Sequence, residues 1–137
     1  MVSGEEQHPH VKCFVEDCGY TSVRDQFSKE LKEQFGLPAF PLLDAASWLC
    51  GLKYGWTFGE ASSLEQVKKS RLPMLFIHGG ADDFVPSRAL DENFDACASI
   101  DRQKLLIPSA GHSMSASTAP VVYWKTGTNF VTRVFGL

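Results

Sequence analysis

The sequence predicts an α/β fold built on a doubly wound parallel sheet. Residues 72–78 (LPMLFIH) are apolar at almost every position. A strand that is apolar on both faces is typical of the middle of a parallel sheet covered by helices on both sides. Predicted strands also alternate with helical segments along the chain, the order that crossovers between parallel strands require. We find no repeat, linker or low-complexity segment, so we expect residues 1–137 to form a single unit.

Two further strands flank this central one in the chain. Residues 11–16 (VKCFVE) are rich in β-branched and aromatic residues, and residues 104–107 (KLLI) form a short apolar run. Pro73 lies near the start of the central run, where a missing N–H does not interrupt the hydrogen-bond ladder. The sequence therefore predicts three parallel strands.

Helices are predicted from capping residues and apolar spacing. Ser22 and Asp25 resemble a capping box, after which apolar side chains recur every four residues until Gly36 ends the helix. The second helix begins near Pro41, because Pro is favoured in the first turn of a helix. The third begins at a second capping box, at Ser62. These signals predict five helices, over about 22–36, 41–52, 62–69 and 87–98, and from residue 120 onward.

Composition and charge disfavour several classes of function. The formal net charge is −3, and the small basic patch at Lys68, Lys69 and Arg71 is interpreted as the solvated end of a helix. Nucleic acid and anionic membranes are therefore not expected as partners. No apolar stretch approaches the roughly 18–20 residues that span a bilayer. Residues 1–6 lack the basic flank and apolar core of a signal peptide, so we expect a cytoplasmic location.

The cysteines do not form a metal-binding or disulfide pattern. Cys13 and Cys18 would face opposite sides of a strand, and no second close pair of Cys or His completes a zinc pattern. We expect all four cysteines, which include Cys50 and Cys97, to be reduced and mostly buried thiols.

Polar side chains follow two neighbouring predicted strands. Residues 78–86 (HGGADDFVP) come directly after the central strand, and residues 107–113 (IPSAGHS) follow the next one. Catalytic groups of doubly wound sheets gather beyond the carboxyl ends of the strands, so we expect Asp82 and His112 to meet there. Taken singly, Asp82 could cap a turn and His112 could face solvent. The combined pattern favours a base with its orienting carboxylate.

These two segments resemble a known family. Residues 78–86 are similar to the HG-x-x-D-x-x-V-P segment of α/β-hydrolases of the serine esterase and serine aminopeptidase type, and residues 109–112 resemble that family's x-A-G-H ending. Residues 16–22 resemble the end of its sixth strand, and residues 27–61 its lid. The resemblance extends from about Val11 to the end of the chain.

The resemblance implies an α/β-hydrolase-like sheet with a small helical lid, about 24–58, inserted between strands 11–16 and 72–78. It makes His112 the catalytic base and Asp82 the acid that orients it. Asp83 then faces solvent or caps the following turn. No metal or organic cofactor is implied, and the substrates would be esters, thioesters or amides of modest size.

One part of the family pattern is absent from the sequence. The nucleophilic serine of α/β-hydrolases lies in a G-x-S-x-G elbow ahead of the acid and the base, and the chain contains no such segment. Residues 1–6 instead resemble the tail of the helix after the elbow. We therefore expect a partial domain, the C-terminal half of a serine hydrolase, without its N-terminal strands and inactive alone. The edge of strand 11–16 would be open to pairing with another copy or with a complementary N-terminal half.

Further candidate residues have two interpretations each. The aromatic residues Trp48, Tyr54, Trp56 and Phe58 could line a substrate pocket beneath the lid or simply form core. Glu16 and Asp17 could touch the site or bond to the following turn, and His78 is expected to be a hydrogen-bonded core histidine.

An alternative function belongs to a different class. The chain could be a non-catalytic interaction module, or an inactive hydrolase fragment, that pairs through its open sheet edge. A nucleotide-binding domain is disfavoured because neither a G-x-G-x-x-G nor a Walker segment is present.

Overall fold

A computed structural model describes residues 3–137 and contains one sheet of three parallel strands. The strands are β1 (Phe14–Asp17), β2 (Met74–Gly79) and β3 (Arg102–Ile107), in the spatial order β1-β2-β3. Every residue of β2 is buried. The prediction of a central strand covered on both faces is therefore confirmed.

Strand ends differ from the predicted ones because pairing decides where a strand begins. β1 starts at Phe14 rather than three residues earlier, since its ladder opens with the Phe14 N–H donating to the Pro73 carbonyl (2.9 Å). β3 starts at Arg102, two residues before the predicted start, because the Met74 N–H already donates to the Asp101 carbonyl (3.0 Å). Neither partner can be identified from the local sequence of the strand itself.

The helices follow the predicted order, with one addition. Ser22 Oγ accepts a hydrogen bond from the Asp25 N–H (3.0 Å), and Ser62 Oγ accepts one from the Glu65 N–H (3.3 Å), so the N-cap bond of each predicted capping box is confirmed. The additional helix has only four residues, Ser115–Thr118. The helices are α1 (Val23–Phe35), α2 (Leu42–Tyr54), α3 (Ser63–Val67), α4 (Arg88–Ala96), α5 (Ser115–Thr118) and α6 (Pro120–Phe135).

Helices cover β2 from both sides. Met74 and Phe76 pack with Val67 at the end of α3 and Leu90 of α4, whereas Leu75 and Ile77 pack against Phe130 of α6. Alternate residues of a strand point to opposite faces, so β2 supplies one side of each of two apolar clusters. The sheet is doubly wound, as the sequence predicted.

β1 forms an edge of the sheet, and its α6-side face is partly open. Val15 in β1 is 46% exposed. Beside it lies an open cleft of about 330 Å³, which is lined by Ile77 of β2 and by residues of α6 that include Tyr123, Trp124 and Val131. In the described part of the chain, α6 therefore packs over β2 and leaves this side of β1 accessible. We refer to Val15, Trp124 and Val131 with the space between them as the edge cleft.

α1 and α2 lie between β1 and β2 in the chain. α1 contacts the segment that follows β2, since Gln26 Nε2 donates to the Phe84 carbonyl (2.9 Å) and Lys29 Nζ donates to the Asp83 carbonyl (2.7 Å). α2 is joined to α1 by an ion pair between Arg24 and Asp44 (3.0 Å). No helix among residues 3–137 is long and apolar enough to cross a bilayer.

Glu16 places a carboxyl group largely inside the protein. Its Oε1 accepts a hydrogen bond from Asn93 Nδ2 (3.2 Å), whereas its Oε2 has no hydrogen-bond partner among residues 3–137. Burial raises the pKa of Glu16 to about 7, against the opposing effect of the Asn93 hydrogen bond. The structural interpretation of Glu16 predicted a bond to the following turn, but its partner in the structure is Asn93 of α4.

We predict that Glu16→Gln removes part of the pH dependence of stability. The folded pKa lies above the unfolded value of 4.5, so the folded state binds more protons between those values, and the contribution of Glu16 is present at low pH and lost as pH rises through about 7. Stability of the wild-type chain should therefore fall by roughly 2 kcal/mol more than that of the variant between about pH 5 and pH 8. Urea unfolding at both pH values measures this difference, and parallel pH profiles of the two proteins would contradict it.

Candidate active site

Asp82 and His112 come together at the carboxyl edge of the sheet. Asp82 lies in the turn after β2 and His112 in the loop after β3, with 2.9 Å between His112 Nδ1 and Asp82 Oδ2. The other carboxylate oxygen, Oδ1, accepts the N–H groups of Phe84 (3.0 Å) and Val85 (2.8 Å). The Asp82 side chain is fully buried, whereas that of His112 is 35% exposed. A fixed acid is thus paired with an accessible imidazole.

The surroundings of Asp82 favour its ionised form. Burial alone would raise the pKa of the carboxyl group, but hydrogen bonds from His112 and the Val85 N–H, together with the charges of nearby histidines, bring it below its ordinary value. A carboxylate only accepts hydrogen bonds, so the proton of this pair lies on His112 Nδ1. Nε2 is then the ring nitrogen that can take up a proton.

A second imidazole contacts the same carboxylate. His78 is buried at the end of β2, and its Nε2 lies 3.1 Å from the Val85 carbonyl and 3.3 Å from Asp82 Oδ2. A carbonyl oxygen cannot donate, so Nε2 carries the proton and faces both oxygens. The sequence correctly predicted a hydrogen-bonded core histidine but not its contact with Asp82. Four-residue spacing predicts side-chain contact on a helix, but residues 78–82 form a strand end and a turn, so the sequence carried no local signal for this contact.

Two glycines allow the Asp82 turn to approach the His112 loop. A Cβ atom on Gly79 would lie 2.7 Å from the Gly111 carbonyl oxygen and closer still to that of Ala110. One on Gly80 would lie 2.7 Å from Pro108 Cα. The backbones are also bonded directly, since the Gly80 N–H donates to the Ile107 carbonyl (2.8 Å). Only residues without a side chain permit this separation.

Cys18 is a neighbour of the pair that sequence reasoning missed. Its Sγ, an oxygen of Asp82 and a nitrogen of His112 all lie within 4.8 Å of one another. Thiol, carboxylate and imidazole are metal-ligand types, but here Asp82 and His112 already bond to each other. Cys18 is 5% exposed, and burial raises its pKa to about 11. A nucleophilic cysteine needs an accessible thiolate, so Cys18 does not fit that role.

The remaining predicted residues lie apart from the pair or on its rim. Asp83 is exposed, and Phe84 packs edge-on against the His112 ring with 4.9 Å between centroids. Phe58 is buried against Phe27 and lies beside Trp56. Trp48 and Tyr54, by contrast, are mostly exposed on α2. The four aromatic residues thus do not form one common cluster. All four cysteines are free thiols, of which Cys18 and Cys97 are buried.

We predict that Gly79→Ala separates the two loops and destabilises the fold. The added methyl group meets backbone carbonyl oxygens that cannot rotate away, so the free energy of unfolding should fall by about 2 kcal/mol or more. Gly127→Ala is the matched control, because nothing lies within 4 Å of a Cβ at that helical position and its effect should be neutral or slightly stabilising. Urea denaturation measures both, and equal stability of the two variants would contradict the prediction.

Comparison with known sequences finds a distant relative. No protein-family model matches the chain. The uncharacterized protein YqkD of Bacillus subtilis (strain 168) is 26% identical over 118 residues, which cover 86% of this chain. The chain spans only 38% of the length of that relative.

Comparison with solved structures identifies the fold. The esterase Pf2001 of Pyrococcus furiosus superimposes with a TM-score of 0.68 at 16% identity, over 96% of this chain and 48% of its own. Mouse alpha/beta hydrolase domain-containing protein 10 gives a TM-score of 0.62 at 15% identity, over 92% of this chain and 54% of its own. The chain thus spans about half the length of these proteins. Its strands, helices and crossovers are those of the α/β-hydrolase fold, of which it forms the C-terminal half.

Proposed function

We propose that the chain supplies the base and the orienting acid of a serine hydrolase that acts by acyl transfer. The observation that carries the proposal is the hydrogen bond of 2.9 Å between His112 Nδ1 and the buried carboxylate of Asp82. It lies at the carboxyl edge of a parallel sheet, where α/β folds place their reactive groups. The likeness to solved hydrolases supports a hydrolase-like protein at a coarser level.

In this proposal each residue has a separate task. His112 Nε2 takes the proton of a serine hydroxyl as that oxygen attacks the substrate carbonyl carbon, and later gives the proton to the leaving group. Asp82 holds the imidazole in the required tautomer and stabilises the imidazolium that forms. Its bonds to the backbone N–H groups of Phe84 and Val85 keep the carboxylate in place during both steps.

The serine must come from outside residues 1–137 in this proposal. The sequence contains no G-x-S-x-G segment, and Cys18 is unsuited to replace it. Among residues 3–137, β1 has an unpaired edge to which a further parallel strand can add, and the edge cleft can receive apolar side chains of the helix that follows such a strand. A complementary N-terminal half is thus the proposed partner, and the chain alone should not turn over substrate.

The proposed substrates are esters, thioesters or amides of modest size. Residues 24–58 would form the lid over the bound substrate, since α1 is bonded to the segment that contains Asp82. Trp48, Tyr54, Trp56 and Phe58 remain candidates for its acyl or aromatic pocket. Trp48 and Tyr54 have apolar surface free for such contact, whereas Phe58 already packs against Phe27.

We predict that Asp82→Asn and His112→Gln each lower kcat/KM for a p-nitrophenyl ester by at least about 10³-fold in an extended protein, in which this chain is joined to the proposed N-terminal half. Asp83→Asn is the matched control, because Asp83 is the exposed neighbour of Asp82 and should retain nearly full activity. Equal losses at Asp82 and Asp83 would contradict the assigned roles.

Labelling with a serine-directed fluorophosphonate tests the source of the nucleophile. The extended protein should be labelled, and the 137-residue chain should not. If the short chain is labelled, a serine within it is activated, and the proposed division between two halves is wrong.

A second candidate function is that of an interaction module that pairs through its sheet edge. The observation that favours it is the edge cleft itself, where Val15 and Trp124 expose apolar surface beside an unpaired strand. In this case a second copy of the chain would occupy the cleft, and no turnover would follow.

We predict that the 137-residue chain self-associates and that Val131→Lys weakens the association. A lysine in the edge cleft places a charge in apolar surroundings, which opposes burial by a partner. Val121→Lys is the control, because Val121 is an exposed residue of α6 that does not line the cleft. Sedimentation velocity over a range of concentrations measures the assembly, and a wild-type chain that stays monomeric throughout would exclude this function.

A further inference from the structure

We propose that Cys18 is a positioning residue that holds the His112 loop against Asp82 through the backbone of Ser113. Its significance for turnover rests on the function proposed above, but the contact itself is a property of the folded chain. Cys18 directly follows β1, and the Ser113 N–H donates to its Sγ over 3.3 Å. Ser113 is the residue immediately after His112, so this bond fixes the loop one peptide unit from the imidazole.

Both ends of this hydrogen bond have an unusual backbone conformation. Cys18 has φ 55° and Ser113 has φ 56°, and they are the non-glycine residues with positive φ in the described chain. Side chains with a Cβ atom disfavour the left-handed region, and such conformations persist where surrounding contacts hold them. The two strained residues contact each other directly, so the hydrogen bond between them stabilises both turns at once.

The thiol of Cys18 is itself anchored from the opposite side. Its S–H donates to Asp17 Oδ1 (3.3 Å), and the Tyr123 hydroxyl donates to Asp17 Oδ2 (2.8 Å). A continuous series of hydrogen bonds therefore connects α6 with the end of β1 and with the loop after β3. Burial raises the pKa of Cys18 to about 11, so the sulfur keeps its proton at neutral pH and can donate and accept together.

This role accounts for features that a reactive thiol would not have. Cys18 is 5% exposed, and both hydrogen-bonding functions of its sulfur are used within the protein. A short side chain that both donates to Asp17 and accepts from Ser113 must carry a thiol or a hydroxyl group. Serine at position 18 should therefore preserve both hydrogen bonds, whereas alanine or glycine should abolish them.

The test is the proton NMR signal of His112 Nδ1–H in the 137-residue chain. A hydrogen bond to a buried carboxylate protects this proton and shifts it downfield, and its disappearance in His112→Gln assigns the signal. We expect the signal to be lost through fast exchange in Cys18→Ala and to be retained in Cys18→Ser. Cys97→Ala is the matched control, because Cys97 is an equally buried thiol that contacts Met74 instead, and its variant should keep the signal.

A glycine variant separates the sulfur from general damage to the fold. Cys18→Gly removes the sulfur but relieves the backbone strain, so it should fold at least as well as Cys18→Ala and still lose the His112 signal. The proposal is overturned if the signal persists in folded Cys18→Gly or Cys18→Ala, or if it disappears in folded Cys18→Ser. The NMR measurement involves no substrate, so such a result would contradict the role of Cys18 and leave the acyl-transfer proposal untouched. Conversely, an extended protein without hydrolase activity would contradict the acyl-transfer proposal and leave the role of Cys18 untouched.

Discussion

The close approach of two backbone turns is the constraint on which the rest of the site depends. Gly79 and Gly80 bring the turn after β2 within backbone contact of the loop after β3. Asp82 and His112 lie in these two segments, so their close approach brings the two side chains within hydrogen-bonding distance. Further hydrogen bonds lie around this contact, including those that the Val85 N–H donates to Asp82 and the Ser113 N–H donates to Cys18.

The same sheet that positions the pair is left open along β1. The central strand β2 is buried on both faces, and its pairing with β1 and β3 aligns the carboxyl ends at which the polar loops emerge. β1 contributes Cys18 to the site from its carboxyl end and exposes Val15 along its length. The strand whose carboxyl end lies beside the Asp82–His112 pair is thus also an edge strand of the sheet formed by the described residues.

Much of the fold was predictable because its signals are local. The apolar run of β2 and the caps at Ser22 and Ser62 depend on neighbouring residues, and all three are found as predicted. The meeting of Asp82 and His112 followed from parallel strands whose loops leave by the same edge. The starts of β1 and β3 were not predictable, because the residues that pair there lie on another strand. Nor was the contact between Cys18 and Ser113, since they are 95 positions apart and no motif joins them.

The carboxylate of Asp82 has four polar contacts, three more than the hydrogen bond to His112 alone. Two backbone N–H groups donate to its Oδ1, while the imidazoles of His78 and His112 both contact its Oδ2. Three of these four partners are themselves buried or part of the main chain. In the proposed function, the rotation that accompanies proton transfer would therefore be made by the partly exposed ring of His112, while the carboxylate of Asp82 stays in place.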